Sequence, residues 1–222
     1  MIYLDNAATT ALSPAAIQAM TKTMTVFGNP SSTHSHGREA SKLLRQARED
    51  IAQSLHTQSN KIIFTSGGTE SNNTTIKGYA LRHQNRGKHI VTTAIEHHAV
   101  LEVVEYLVDK FGFEATFVQP VDGQIRAADI KKALRPDTIL VSVMAVNNET
   151  GAMLPIKEIG ELLQEHPAAF HVDAVQAIGK LPIYPDELGI DFLSASAHKF
   201  HGPKGVGFLY AEKMDFDNFM HG

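Results

Sequence analysis

The residues best suited to chemistry end the run Ser194-Ala195-Ser196-Ala197-His198-Lys199, which a Gly202-Pro203-Lys204-Gly205 turn follows. Free lysine has a pKa of about 10.4 and is a poor nucleophile at neutral pH, so condensation with a carbonyl requires an amine perturbed by its surroundings. A lysine placed just after an apolar strand, between small hydroxylated residues and a rigid turn, suits an amine in a partly dry pocket; an exposed loop lysine is the plainer alternative. Asp173 ends a second apolar run, His171-Val172-Asp173, with Gln176 soon after. A buried acid there needs a cationic or hydrogen-bonding partner, unless it only caps a helix. Thr65-Ser66-Gly67-Gly68-Thr69-Glu70-Ser71-Asn72 reads as a glycine turn opening a helix, whose free amides and hydroxyls could hold a phosphate. It matches neither the Walker loop nor the dinucleotide fingerprint, and an ordinary capped turn explains it as well. Glu96-His97-His98 and Asn147-Asn148-Glu149-Thr150-Gly151 complete the set, each open to a surface reading.

Positioning these groups requires a sheet. Short apolar runs alternate with helical stretches after residue 55, which argues for βα units and an α/β fold with a largely parallel sheet. Seven strands are expected, over Lys61 to Phe64, His89 to Thr93, Ala115 to Val118, Thr138 to Val143, Ala169 to Val172, Asp191 to Ala195 and Val206 to Tyr210. The loop His198 to Gly205 is too short for a helical crossover, so the last pair is expected to be antiparallel. A first helix should start at Ser13-Pro14 and stop by Gly28, a second should run from Gly37 to Leu55, and Ala99 to Phe111 and Ile156 to Gln164 fit covering helices. Ligands bind outside the carboxyl ends of strands in such sheets. Five strand ends would then supply a phosphate cradle, a histidine, an amide, a carboxylate and a lysine on one rim. Pyridoxal 5'-phosphate asks for that set: a helix N-terminus for its phosphate, a stacking partner for its ring, a carboxylate for its pyridine nitrogen and a lysine for its aldehyde.

Composition narrows the rest. A chain of 222 residues buries roughly 70% of its extended-chain surface and needs no disulfide to fold. The net charge of -4 and the lack of a Lys/Arg run argue against nucleic acid as a main partner. Cysteine is absent, which removes disulfides, thiolate metal sites and any sulfur nucleophile from these residues. The start Met1-Ile2-Tyr3-Leu4-Asp5 has neither a basic segment nor an apolar stretch for export or membrane anchoring, so a cytoplasmic location is expected.

In order and spacing the chain resembles the cysteine desulfurases, NifS-like members of the class V aminotransferase group. The motifs that carry the resemblance are Tyr3-Leu4-Asp5-Asn6-Ala7-Ala8-Thr9-Thr10, Gly28-Asn29-Pro30-Ser31-Ser32 with His34 and Gly37-Arg38, Thr65 to Asn73, Glu96-His97, Val146 to Gly151, His171-Val172-Asp173 with Gln176, and Ser196 to Gly205. The resemblance implies the large domain of a fold type I pyridoxal-phosphate transferase over 13–222, an N-terminal arm over 1–12 lining the active site, and no C-terminal small domain. It implies that Lys199 anchors the cofactor and moves protons at the substrate α-carbon. His97 would stack on the ring and take part in acid–base steps, Asp173 would pair with the pyridine nitrogen, and Gln176 would touch the phenolic oxygen. Asn148 would sit beside cofactor and substrate, while Gly68, Thr69, Ser196 and His198 would hold the phosphate. Such enzymes turn L-cysteine into L-alanine through a sulfur-accepting cysteine on a mobile loop in their second half, form homodimers, and pass sulfur to acceptor or scaffold proteins of iron–sulfur assembly or to thiolation. Relatives are nearly twice as long, so this chain, stopping at Met220-His221-Gly222 inside what looks like a glycine-rich motif, is expected to be a piece inactive in desulfuration. A non-catalytic scaffold and another class V enzyme such as a selenocysteine lyase are the competing expectations.

Overall fold

The computed structural model describes residues 2–221; Met1 of the expected arm and Gly222 of the terminal motif lie outside the described residues. In chain order the elements are α1 (Pro14–Thr23), α2 (Ser35–Ser54), β1 (Ile62–Thr65), α3 (Gly68–His83), β2 (His89–Thr93), α4 (His98–Phe111), β3 (Glu114–Val118), α5 (Ala127–Ala133), β4 (Thr138–Met144), α6 (Ile156–Leu163), β5 (Ala169–Asp173), α7 (Pro185–Leu188), β6 (Phe192–Ser196) and β7 (Gly207–Ala211). All seven expected strands are present, each within a residue of its expected limits.

The strands form one sheet in the order β1-β7-β6-β5-β4-β2-β3. β7 runs antiparallel to both β6 and β1, and the remaining pairs are parallel. Every strand except β7 therefore points the same way, and the carboxyl ends of β1, β2, β4, β5 and β6 share one rim. Alternation along the strands sends side chains to opposite faces. Phe170, Val172, Leu193, Phe208 and Tyr210 pack on one face with Leu55 of the α2 end, Ile130 of α5 and Ile159 of α6. Leu209, Phe192 and Ile90 pack on the other with Ile76 of α3 and Val100, Val103 and Leu107 of α4. Burying apolar surface on both faces is what holds this sheet together.

The first helix differs from expectation. It ends at Thr23, five residues short of Gly28. Thr21 and Thr23 turn their hydroxyls back onto the carbonyls of Ile17 and Ala19, and three β-branched residues, Thr21, Thr23 and Thr25, weaken the helix where no packing compensates, since α1 buries none of its residues. Gly28 serves close packing instead: a Cβ there would lie 2.0 Å from the carbonyl oxygen of His36 in the first turn of α2. The second helix starts two residues before Gly37, because the His34 ring nitrogen Nδ1 accepts the Gly37 amide at 3.3 Å and caps it.

Candidate active site

The shared rim opens into a cavity of about 500 Å³, and Gly68, Thr69, His97, Asn148, Asp173, Gln176, Ser196, His198 and Lys199 all line it. Each is delivered by the local fold. Gly67 lies at φ 152°, a conformation open to glycine, and turns β1 into the 16-residue helix α3. The amides of the first turn of α3 have no partner within the helix. At Gly68 a Cβ would sit 2.6 Å from Val175 Cγ2, so a side chain would fill the space at this N-terminus. The Ser66 amide is taken by Glu70 Oε2 at 2.7 Å, which closes the turn behind it.

His97 caps α4, its Nδ1 accepting the Ala99 amide at 3.1 Å, which leaves the neutral ring's proton on Nε2 and an exposed ring at the cavity wall. Asp173 is the last residue of β5 and is buried, 5% exposed. Its Oδ2 accepts from Asn72 Nδ2 at 2.8 Å and its Oδ1 from the Val175 amide at 3.0 Å. Burial pushes its pKa up, while the bonds from Asn72 and Val175 and the nearby His97 and Lys199 act in the opposite direction. A carboxylate retains acceptor capacity beyond those two bonds, so it fits a cationic N–H reaching it from the cavity.

Lys199 ends the short turn Ala197–Lys199 after β6 and is partly buried. Its ammonium donates to the backbone carbonyls of Ala7 and, at 2.9 Å, Ala8. Burial and the neighbouring Lys180 bring its pKa down from the ordinary lysine value, against the pull of Asp173, Asp5 and Glu149. The N-terminal arm is fastened to the same turn: Thr10 donates its amide and hydroxyl to the His198 carbonyl at 2.8 and 2.9 Å, and Thr9 Oγ1 lies 3.0 Å from His198 Nδ1. Gln176 donates to the Ala7 carbonyl at 2.8 Å and accepts from Lys180 at 3.1 Å. Burial, then Lys199 and Lys204, lowers the His198 pKa and favours a neutral ring. Asn148 donates to Glu149 Oε1 at 2.6 Å at the cavity mouth.

Several residues here carried no assigned role in the sequence. Asn72 lies one helical turn after Gly68, and that i,i+4 spacing was the available signal that it shares Gly68's face and meets Asp173. Asp5 and Glu149 add two acids to the lining. His171, part of a quoted motif, does not line the cavity: it bridges Ser142 at 2.8 Å and Ser194 at 3.0 Å across three strands, and burial pushes its pKa down to about 3. It is a neutral cross-strand tie.

The donors therefore fit a pyridoxal-phosphate cofactor: an open helix N-terminus beside hydroxyl and imidazole groups, a flat ring at the wall, a buried carboxylate and a lysine amine. The aminotransferase class-V family profile matches residues 2–221, and enzymes of that family use this cofactor. A protein described as cysteine desulfurase IscS, from Dictyoglomus turgidum, is 53% identical over 215 residues, covering 96% of this chain and 54% of its own length. A solved structure described as a NifS-like protein superposes with a TM-score of 0.95 at 40% identity, over 100% of this chain and 62% of that one. A second, SspA in complex with cysteine, gives 0.95 at 38% identity, over 100% and 65%. The chain spans about half the length of the curated relatives it matches. With the family profile matched over residues 2–221 and relatives about half identical over 96% of its length, the chain belongs to the class-V aminotransferase family.

Proposed function

We propose that the cavity holds pyridoxal 5'-phosphate and that the whole protein is a cysteine desulfurase, converting L-cysteine to L-alanine and passing sulfur to a cysteine thiolate. The observation that carries the reading is one cavity collecting the lysine, the ring, the buried carboxylate and the open helix N-terminus. Its volume, about 500 Å³, is of the size that takes a cofactor with a small amino acid. When bound, the cofactor supplies an electron sink for bond breaking at the substrate α-carbon.

The chain's residues divide the remaining work. Lys199, its amine biased toward the neutral form by burial, is the anchor for the aldehyde and then the group that moves a proton at the α-carbon. The Ala7 and Ala8 carbonyls hold its ammonium in the cavity when it is free. Asp173 keeps the pyridine nitrogen protonated, a charge-assisted contact of about 1.5 to 3 kcal/mol. His97, at the cavity wall, would hold the ring and carry protons through Nε2, and Gln176 would hold the phenolic oxygen. Gly68 and Thr69 amides, the Ser196 hydroxyl and His198 hold the phosphate. Asn148 contacts the substrate side. Asp5, Ala7 and Ala8 line the cavity, which supports reading 1–12 as an arm on a large domain over 13–222.

The substrate assignment draws support from the cysteine bound by SspA and from the desulfurase names of the relatives. These 222 residues contain no cysteine, so the thiolate that takes the sulfur comes from outside them. Among the described residues no helix is long and apolar enough to cross a membrane. We place the protein in the cytoplasm as a homodimer feeding iron–sulfur assembly or thiolation; its relatives include mitochondrial enzymes. The test is to load the 222-residue chain with cofactor, add L-cysteine, L-selenocysteine or L-alanine, and follow the cofactor spectrum and alanine release. Spectral change with cysteine and no turnover is expected. Alanine formed by this chain would overturn the external thiolate, and a response to selenocysteine alone would overturn the substrate.

A further inference from the structure

Glu96 stands just outside the cavity wall, one residue before His97, and only 6% of it is exposed. Its Oε1 accepts from Thr93 Oγ1 at 2.6 Å and from the Met144 amide at 3.0 Å. Thr93 is the last residue of β2 and Met144 the last of β4, so a single oxygen ties two neighbouring strand ends. Met144 is also the ladder partner of Asp173, which places the Glu96 carboxyl one strand away from the Asp173 carboxyl. Its Oε2 is sealed from solvent and meets no hydrogen-bond partner among the described residues. An ionised carboxyl in this position would leave one charged oxygen unsolvated and set a second negative charge near Asp173.

We propose that Glu96 is a positioning residue: a neutral carboxylic acid that clasps the ends of β2 and β4, fixes the loop carrying His97, and leaves Asp173 as the ionised carboxylate of the strand-end floor. Burial pushes its pKa up to about 8, Asp173 acts in the same direction, and the bonds from Thr93 and Met144 oppose it. The groups meeting it are few. β2 brings the Thr93 hydroxyl, β4 the Met144 amide and β5 the Asp173 carboxyl, the one charged group acting on it, while His97 follows it in the chain with its ring turned to cap α4. Above its pKa the acid loses its proton: the bonds from Thr93 and Met144 to Oε1 tighten, but the unsolvated Oε2 then carries charge beside Asp173 and draws water into the strand-end floor. The positioning half of this proposal rests on the cofactor reading given above, whereas the protonation half concerns the chain alone.

Two measurements test the halves separately. In side-chain carboxyl 13C NMR of the cofactor-free chain, with Glu96→Gln identifying the signal, the Glu96 resonance should stay in its protonated position through pH 7 and move near pH 8. Titration alongside the surface glutamates, at about pH 4.3, would overturn the proposal. Pyridoxal-phosphate affinity is then measured for the parent, Glu96→Gln and Glu96→Ala. Glutamine keeps the accepting Oε1 and the neutral form, so it should bind within about twofold of the parent at pH 7, and alanine about tenfold more weakly. From pH 7 to 9 the parent should lose affinity relative to Glu96→Gln, a comparison that survives if the alanine variant fails to fold. Equal pH dependence in parent and Glu96→Gln would overturn the clasp. A parent that takes up no cofactor at either pH would overturn the cofactor reading, and with it the positioning role, while leaving the NMR result to stand or fall alone.

Discussion

Replacing Asp173 by Asn separates the fold of the rim from its electrostatics. Asp173 accepts from Asn72 Nδ2 and the Val175 amide. An Asn at this position keeps one oxygen for the Val175 amide and presents an NH2 group to Asn72. Asn72 has an answer, because its Oδ1 is buried without a partner among the described residues and becomes an acceptor when the amide turns over. The floor therefore stays hydrogen-bonded. Burial raises the Asp173 pKa, so the native acid contributes stability that is lost as pH rises through its folded value. The neutral Asn variant lacks that loss, and its melting temperature should equal or exceed the parent's at pH 7. Cofactor binding should move the other way. Losing a charge-assisted bond of about 1.5 to 3 kcal/mol corresponds to roughly 10- to 150-fold in Kd at 1.4 kcal/mol per tenfold. Titration of both proteins with pyridoxal phosphate, followed by absorbance and by thermal melting, reads the two effects independently. Affinity within twofold of the parent in a folded Asp173→Asn variant would refute the pairing of this carboxylate with the ring nitrogen.

Other perturbations probe different parts of the account. Gly68→Ala puts a methyl 2.6 Å from Val175 Cγ2; overpacking of this kind costs about 1 to 3 kcal/mol, so melting should drop by several degrees and cofactor affinity should fall, with Val175→Ala restoring the melting temperature. His171 is buried and neutral with its pKa pushed down to about 3. The unfolded chain binds that proton below about pH 6.5, so stability present at neutral pH is lost progressively as pH falls toward 3. A His171→Gln variant should show a flatter acid limb in pH-dependent urea unfolding, and an unchanged limb would contradict the assignment.

Strand positions were legible because β-branched and apolar runs such as Thr138–Met144 are short, continuous and bounded by turn residues. The antiparallel β6–β7 pair was legible from loop length alone. The end of α1 was not: its threonines carry the stop, whereas Gly28, the residue that reads as a stop, answers a contact with His36 that only the folded chain reveals. At the site, glycines, histidines and the lysine announce themselves by type and by their place after strands. Asn72 and Glu96 stand in the quoted motifs, but their roles were not legible, since their partners, Asp173 and the Met144 amide, are 101 and 48 residues distant in sequence. His171 and His97 both stand in quoted motifs, yet His171 lies inside β5 with both ring nitrogens engaged by neighbouring strands, whereas His97 caps α4 at the cavity wall.

The most direct test of the central claim is to mix the chain with pyridoxal phosphate, reduce with borohydride and map the modified lysine by mass spectrometry, with Lys199→Ala as control. The label should fall on Lys199 alone, with none in the variant. Label scattered over surface lysines, or equal labelling of Lys199→Ala, would contradict it.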